Sequence, residues 1–334
     1  MPLDAAAVTE RTAADQAGAV TVVGEALIDL VPAEPDGLYA AAPGGSPANV
    51  AIGLARLGVP VQFAARLADD GFGRRLRAHM AANGVDLSYA IRAHEPTSLA
   101  VVQVDSQGGV EYDFRVQGTA DWQWTDAELA GIPVERVVAV HTGSLAAALL
   151  PGAEPIERLV QRSRAAATIS YDPNCRPALM GPREAVVQRV DKLVSQADVV
   201  KASAEDLAWL APGRTPADVA AAWLDCGPAL VVITLGADGV VACARATPSV
   251  FRPGRPIDVV DTVGAGDAFV SALLAALYRR DLLGAHRRGA LQSLGLQLLA
   301  EILDEAVLAS AMTCTRRGAD PPTRAELHAA LAGV

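Results

Sequence analysis

From about residue 19 the chain alternates between apolar runs and apolar stripes. VTVVGEALIDLV (20–31) is a nearly continuous run and predicts a strand. SPANVAIGLARLG (46–58) carries Val50, Leu54 and Leu57 at spacings of four and three, the stripe of a helix. PVQFAARL (60–67) reads as the next strand and residues 71–83 as a helix. SLAVVQV and VEYDFRV flank DSQGG (105–109), which predicts a hairpin around a Gly-Gly turn. Four more strands follow at 137–144, 168–174, 197–203 and 229–236, interleaved with helices at 154–166, 182–196 and 215–226. DTVGAGDAFVSALL (261–274) then opens a further apolar helix. Strands alternating with helices predict βαβ units, hence an α/β, doubly wound fold on a mostly parallel sheet. The hairpin and GLYAAA (37–42) do not fit a parallel sheet. Segments at about 32–43 and 98–118 therefore predict a small β-sheet lid projecting from one large domain over 19–334.

In an open parallel sheet, ligands bind beyond the carboxyl ends of the strands. Those ends carry Asp29, Gly143-Ser144, Asn174-Cys175-Arg176, Ser203 to Asp206 and Thr234 to Gly236. Each alone is ordinary turn chemistry; together they form one rim. Two glycine-rich helix starts add to it. In APGGSPANVAIGLARLG, Ser46 reads as the N-cap and Pro47 as the first helical residue. Gly44 and Gly45 let a ligand approach the backbone, and Asn49 offers a donor and an acceptor to a hydroxylated ligand. In the second start, Gly264 and Gly266 permit a turn whose N–H groups and helix dipole bind an anion. Asp267 follows in the first turn. It is either a dipole cap or the base that takes a hydroxyl proton beside a bound phosphate.

Charge narrows the partners. A net charge of −10 argues against a nucleic-acid or anionic-membrane surface, and no apolar run reaches transmembrane length. The only lysines are Lys192 and Lys201, and no G-x-x-x-x-G-K-[ST] loop occurs. Phosphate must then rest on backbone N–H groups and arginine. Cys175, Cys226, Cys243 and Cys314 show no C-x-x-C pair and read as reduced thiols of a cytoplasmic protein. Residues 1–18 contain charges but no apolar core and read as a flexible leader.

GGSPANVAIGLARLG and DTVGAGDAFVSALL, with VVITLGADG between them, resemble the two signature segments of the PfkB, ribokinase-like, sugar kinases. The resemblance covers about 19–332. It implies an ATP- and Mg2+-dependent kinase acting on a primary alcohol, with a lid that makes a homodimer contact. It implies Asp267 as catalytic base and the N–H groups of Gly264, Ala265, Gly266 and Asp267 as the anion hole. Asp29, Gly44, Gly45 and Asn49 would line the sugar site, and Thr234, Gly236 and Gly239 would approach the nucleotide. GEALIDLVP, HTGSL and DPNCRPAL look most like fructokinases. Ribokinases usually carry an asparagine and a lysine where this chain has Leu27 and Ser46.

Arg176, beside Asn174, is either the cation for the transferred phosphate or a surface arginine at a strand end. Arg115 reaches the sugar or is a solvated lid charge. The family's Asn-x-x-Glu magnesium motif reads Ser203-Ala204-Glu205-Asp206, so Glu205 or Asp206 serves it through water. Asp261, the Val263 carbonyl and TRRGADPP (315–322) match a family potassium site in layout, with Pro322 where a serine sometimes stands. Trp122 and Trp124 are expected to pack under the lid. A 2-keto-3-deoxygluconate kinase is the main rival, since DPN-x-R also occurs among those kinases; its carboxylate substrate needs one more cation, so Arg115 or Arg176 decides between them. A non-catalytic sugar sensor is the rival of a different class. A dehydrogenase is excluded, because no G-x-G-x-x-G follows the first strand.

Overall fold

The structure, a computed structural model, describes residues 18–33, 37–104 and 110–333. Residues 1–17 of the expected leader and the DSQGG turn lie outside the described residues. In chain order the strands are β1 (Ala19–Val23), β2 (Leu27–Ala33), β3 (Leu38–Gly44), β4 (Val61–Ala64), β5 (Arg66–Ala68), β6 (Ile91–Ala93), β7 (Leu99–Val104), β8 (Val110–Arg115), β9 (Val137–Gly143), β10 (Thr168–Asp172), β11 (Val199–Ser203), β12 (Leu230–Thr234), β13 (Gly239–Ala244) and β14 (Thr247–Pro253).

Eight of them form the main sheet in the order β14-β13-β12-β11-β10-β9-β1-β4. From β12 to β4 every pairing is parallel; β13 and β14 join antiparallel at one edge. The sheet is buried on both faces, and its alternating side chains feed two cores. Val199, Leu230 and Val232 pack with Phe269, Leu273 and Ile302 on one face. Val200, Val231 and Ile233 pack with Ile156, Leu159 and Val190 on the other. β1 has β4 on one side and β9 on the other, so the strand order reverses there and opens a crevice at the carboxyl ends.

A small sheet separates from the main one, as the pattern predicts. It has four strands in the order β3-β2-β7-β8, antiparallel except for the parallel β2–β7 pairing, and β5 pairs in parallel with β6. Two expectations about the first strand change. The run at 20–31 is two strands in two sheets, and Asp29 lies within β2 of the small sheet rather than at an end of the main one. Tertiary contacts cause the break. Glu25 accepts the Ala146 N–H at 3.1 Å, and the Ala26 N–H goes to Asp121 Oδ1 at 2.9 Å. Likewise, the run at 60–67 divides into β4 and β5.

Candidate active site

The helix Ser46–Arg56 starts one residue earlier than its sequence suggests. Gly45, at φ 103°, is the N-cap, so Ser46 is the first helical residue and does not cap. Its hydroxyl is thereby free to point elsewhere. Ser46 Oγ donates to Asp267 Oδ1 at 2.7 Å, and Asn49 Nδ2 donates to Asp267 Oδ2 at 2.8 Å. The two glycine-rich segments, more than 200 residues apart, thus meet on one carboxylate. Close helix packing allows this: a Cβ on Gly53 would lie 2.2 Å from Ser271 Oγ.

Asp267 is the third residue of the helix Ala265–Arg279 and is nearly buried. Gly264, at φ 76°, is its left-handed N-cap and has no side chain to occupy the first-turn amides. The amides of Gly266 and Asp267 face the helix start, while that of Ala265 closes the turn on Thr262 O at 3.3 Å. A Cβ on Gly264 would sit 2.5 Å from Ala319 Cβ, so the carboxyl-terminal segment walls the turn. Asp261 ties that wall in place. Its Oδ2 accepts the Gly318 N–H at 2.8 Å and its Oδ1 accepts the Val263 N–H at 3.1 Å. The expected potassium-site residues are therefore neighbours.

The strand ends complete the rim. At β10, Asp172 is buried, and burial pushes its carboxyl up to about 6 against the pull of Lys201. Lys201 Nζ lies 3.0 Å from Asp172 Oδ2. Burial works against the Lys201 charge, but Asp172, Asp206 and Asp267 outweigh it and hold its pKa above the ordinary lysine value. Lys201 is the residue the sequence reading passed over. Its signal was a lysine, one of two in the chain, within the short run VVKAS. Asn174 takes a left-handed φ of 37°, and Arg176 folds back to donate to Asn174 Oδ1 at 2.8 Å and Cys175 O at 2.9 Å.

At β11, Asp206 is fully engaged: Oδ1 accepts the Cys175 N–H at 2.6 Å and Oδ2 accepts the Ser203 N–H at 2.7 Å. Glu205 is exposed beside it. Thr234 ends β12 opposite Ser203, and Gly236 follows at φ 60° with open space around it. A Cβ on Gly239 would strike Arg252 O at 2.1 Å, so that position must be glycine for the β12–β13 turn.

Asp29 faces this rim from the small sheet. Burial raises its carboxyl to about 6, with Arg176 opposing and Asp267 adding to the rise. Gly44 makes room for it, since a Cβ there would lie 2.1 Å from Asp29 Oδ2. Tyr112 on β8, also unremarked in the sequence, stacks on Phe114 with ring centres 5.7 Å apart. Burial raises its phenol, and both Asp29 and Arg176 act on it. Arg115 is not brought to the cluster; it is exposed and pairs with Asp113 at 2.6 Å. Trp122 and Trp124 are buried in the core beside Leu129 and Ile132.

The arrangement sets a carboxylate next to an anion-accepting helix start, with an arginine and a second carboxylate opposite. That is the equipment for moving a phosphoryl group onto a hydroxyl. The chain belongs to the pfkB family of carbohydrate kinases, whose profile matches residues 18–326. It is a phosphotransferase with an alcohol acceptor. Fructokinase of Rhizobium leguminosarum bv. trifolii is 36% identical over 263 residues, 78% of this chain and 80% of that relative. The crystal structure of Xylella fastidiosa fructokinase with bound ATP superposes with a TM-score of 0.86 at 29% identity, covering 95% of this chain and 99% of that one. A double mutant of Vibrio cholerae O395 fructokinase, in fructose, ADP and potassium ion bound form, gives a TM-score of 0.80 at 27% identity over 94% and 98% of the two chains.

Proposed function

We propose that the protein is a fructokinase that moves the γ-phosphoryl group of ATP to a primary hydroxyl of fructose. The observation that carries the reading is the Asp267 carboxylate, fixed by Ser46 and Asn49 at the Gly264 helix start. In this reading the sugar lies between Asp29, Gly44, Gly45 and Asn49. Asp267 accepts the hydroxyl proton as that oxygen bonds to the γ-phosphorus. The β–γ bridging bond breaks and ADP leaves. The first-turn amides and Arg176 hold the phosphoryl oxygens. Thr234, Gly236 and Gly239 lie along the nucleotide.

A divalent ion supplies charge neutralisation on the phosphates when bound. Among the described residues no group of three or more His, Cys, Asp or Glu side chains could hold an ion. Mg2+ suits such a site, since it keeps several waters and binds through one or two carboxylates and substrate phosphates. Glu205 is the better of the two candidates to meet its water shell, because both Asp206 oxygens are occupied. Asp261 and the Val263 carbonyl form the candidate K+ site. A neutral sugar is favoured over 2-keto-3-deoxygluconate, because Asp113 already engages Arg115. The exposed Val31, Leu38 and Tyr39 of the small sheet support its reading as a lid that pairs two copies, and light scattering tests it. Four unpaired cysteines support a cytoplasmic setting.

The test is ADP release with ATP and Mg2+ on fructose, ribose, tagatose, 2-keto-3-deoxygluconate and adenosine, with and without K+. Fructose turned over far faster than the rest is the expected result. Preference for another compound removes the substrate assignment, and ATP binding without any turnover favours a sensor.

A further inference from the structure

Lys201 is a charged side chain inside a strand whose neighbours are aliphatic, and it is 6% exposed. Its partner Asp172 is buried as deeply. A buried pair of this kind recovers little net stability after desolvation, so its presence calls for another reason. The contacts on either side supply one. Asp172 Oδ2 takes the Lys201 ammonium at 3.0 Å, while Oδ1 accepts the Asn174 N–H at 3.2 Å. That second bond sets the left-handed turn at Asn174, and Arg176 wraps onto this turn through Asn174 Oδ1 and Cys175 O. In the other direction, a Cβ on Gly266 would lie 3.1 Å from Lys201 Nζ, so the start of the Asp267 helix sits directly against the ammonium.

We propose that Lys201 is a positioning residue of the phosphoryl-transfer site: braced against the Gly264–Asp267 helix start, it acts through Asp172 to fix the turn that aims Arg176. The inference rests on the reading of that helix start as the site of transfer. A lysine that acts through Arg176 has no effect of its own once Arg176 is gone. A lysine that merely holds the fold lowers stability and leaves the turnover of folded enzyme alone.

The experiment is steady-state phosphorylation of fructose by wild type, Lys201→Met, Arg176→Met and the double variant, with kcat taken per folded protein from melting curves. Lys201→Met is expected to lower kcat about 30-fold, within the range of coupled neighbouring residues, with both KM values changed less than about threefold. The double variant is expected to be no slower than Arg176→Met. Lys201→Met paired with Asp172→Asn removes both charges and keeps the test open if the single variant does not fold; its kcat is expected to stay low. Three results overturn the proposal: kcat of Lys201→Met within threefold of wild type, effects of Lys201 and Arg176 that multiply, or wild-type kcat in the variant lacking both charges. A wild type that phosphorylates no sugar would overturn the transfer-site reading instead.

Discussion

The helices that begin at Ser46 and Ala265 both leave a glycine of positive φ, and neither has a side-chain cap. Each glycine is required by what it packs against. A Cβ on Gly45 would lie 2.7 Å from Glu25 O, beneath the small sheet, and one on Gly264 would meet Ala319 of the carboxyl-terminal segment. From there the two diverge. The first helix has no acid in its first turn and turns two donors, Ser46 and Asn49, outward. The second buries an acid at its third position and takes both donors on it. A glycine-led helix start by itself is common backbone geometry. Here the site arises because one start supplies donors and the other an acceptor, and the sheet brings them together.

The largest effect should fall on the acceptor. Asp267→Asn should lower kcat by roughly 10²–10⁴, the usual range for a general base, while ATP affinity measured by calorimetry stays near wild type. Next is the foundation of the second start. Gly264→Ala places a side chain in left-handed backbone and against Ala319, costing about 2 kcal/mol in denaturant melts. A loss of kcat on the order of 10-fold should accompany it, because the first-turn amides move. Weakening a donor should do less. Asn49→Ala should lower kcat/KM for fructose about 10-fold, the worth of one hydrogen bond to a charged group.

The smallest effect concerns the foundation of the first start. Burial raises the Glu25 carboxyl to about 7, while its hydrogen bonds with Ser144 and Ala146 pull the other way. The folded state therefore holds the proton more tightly than the unfolded chain. The stability this gives is complete below the ordinary carboxyl value and is lost as pH rises through about 7. Melting temperature should fall between pH 5 and 8, and Glu25→Gln should flatten part of that fall. Parallel profiles for the two proteins would show that Glu25 does not titrate there.

The sequence made the helix starts and the hairpin legible because their signals are local: glycine pairs, a 3.6-residue stripe, strict alternation. The break at Gly24 to Ala26 was hidden, since Glu25 and Ala26 are held by Ala146 and Asp121, about a hundred residues away. Ser46 read as a cap because serine usually caps; Gly45 fits against Glu25 O more closely than any residue with a Cβ could. Lys201 stood out in the sequence only as one of two lysines. Its meaning needs Asp172 and Gly266, which no spacing in the chain places beside it.

The division of labour between the two starts is tested most directly by a double-mutant cycle in single-turnover transfer to fructose, using Asn49→Ala, Asp267→Asn and both. If Asn49 orients the base, its effect on the transfer rate vanishes once Asp267 is an amide, and only its effect on fructose KM survives. Two losses of rate that multiply would contradict the account, because each helix start would then act on the substrate without the other.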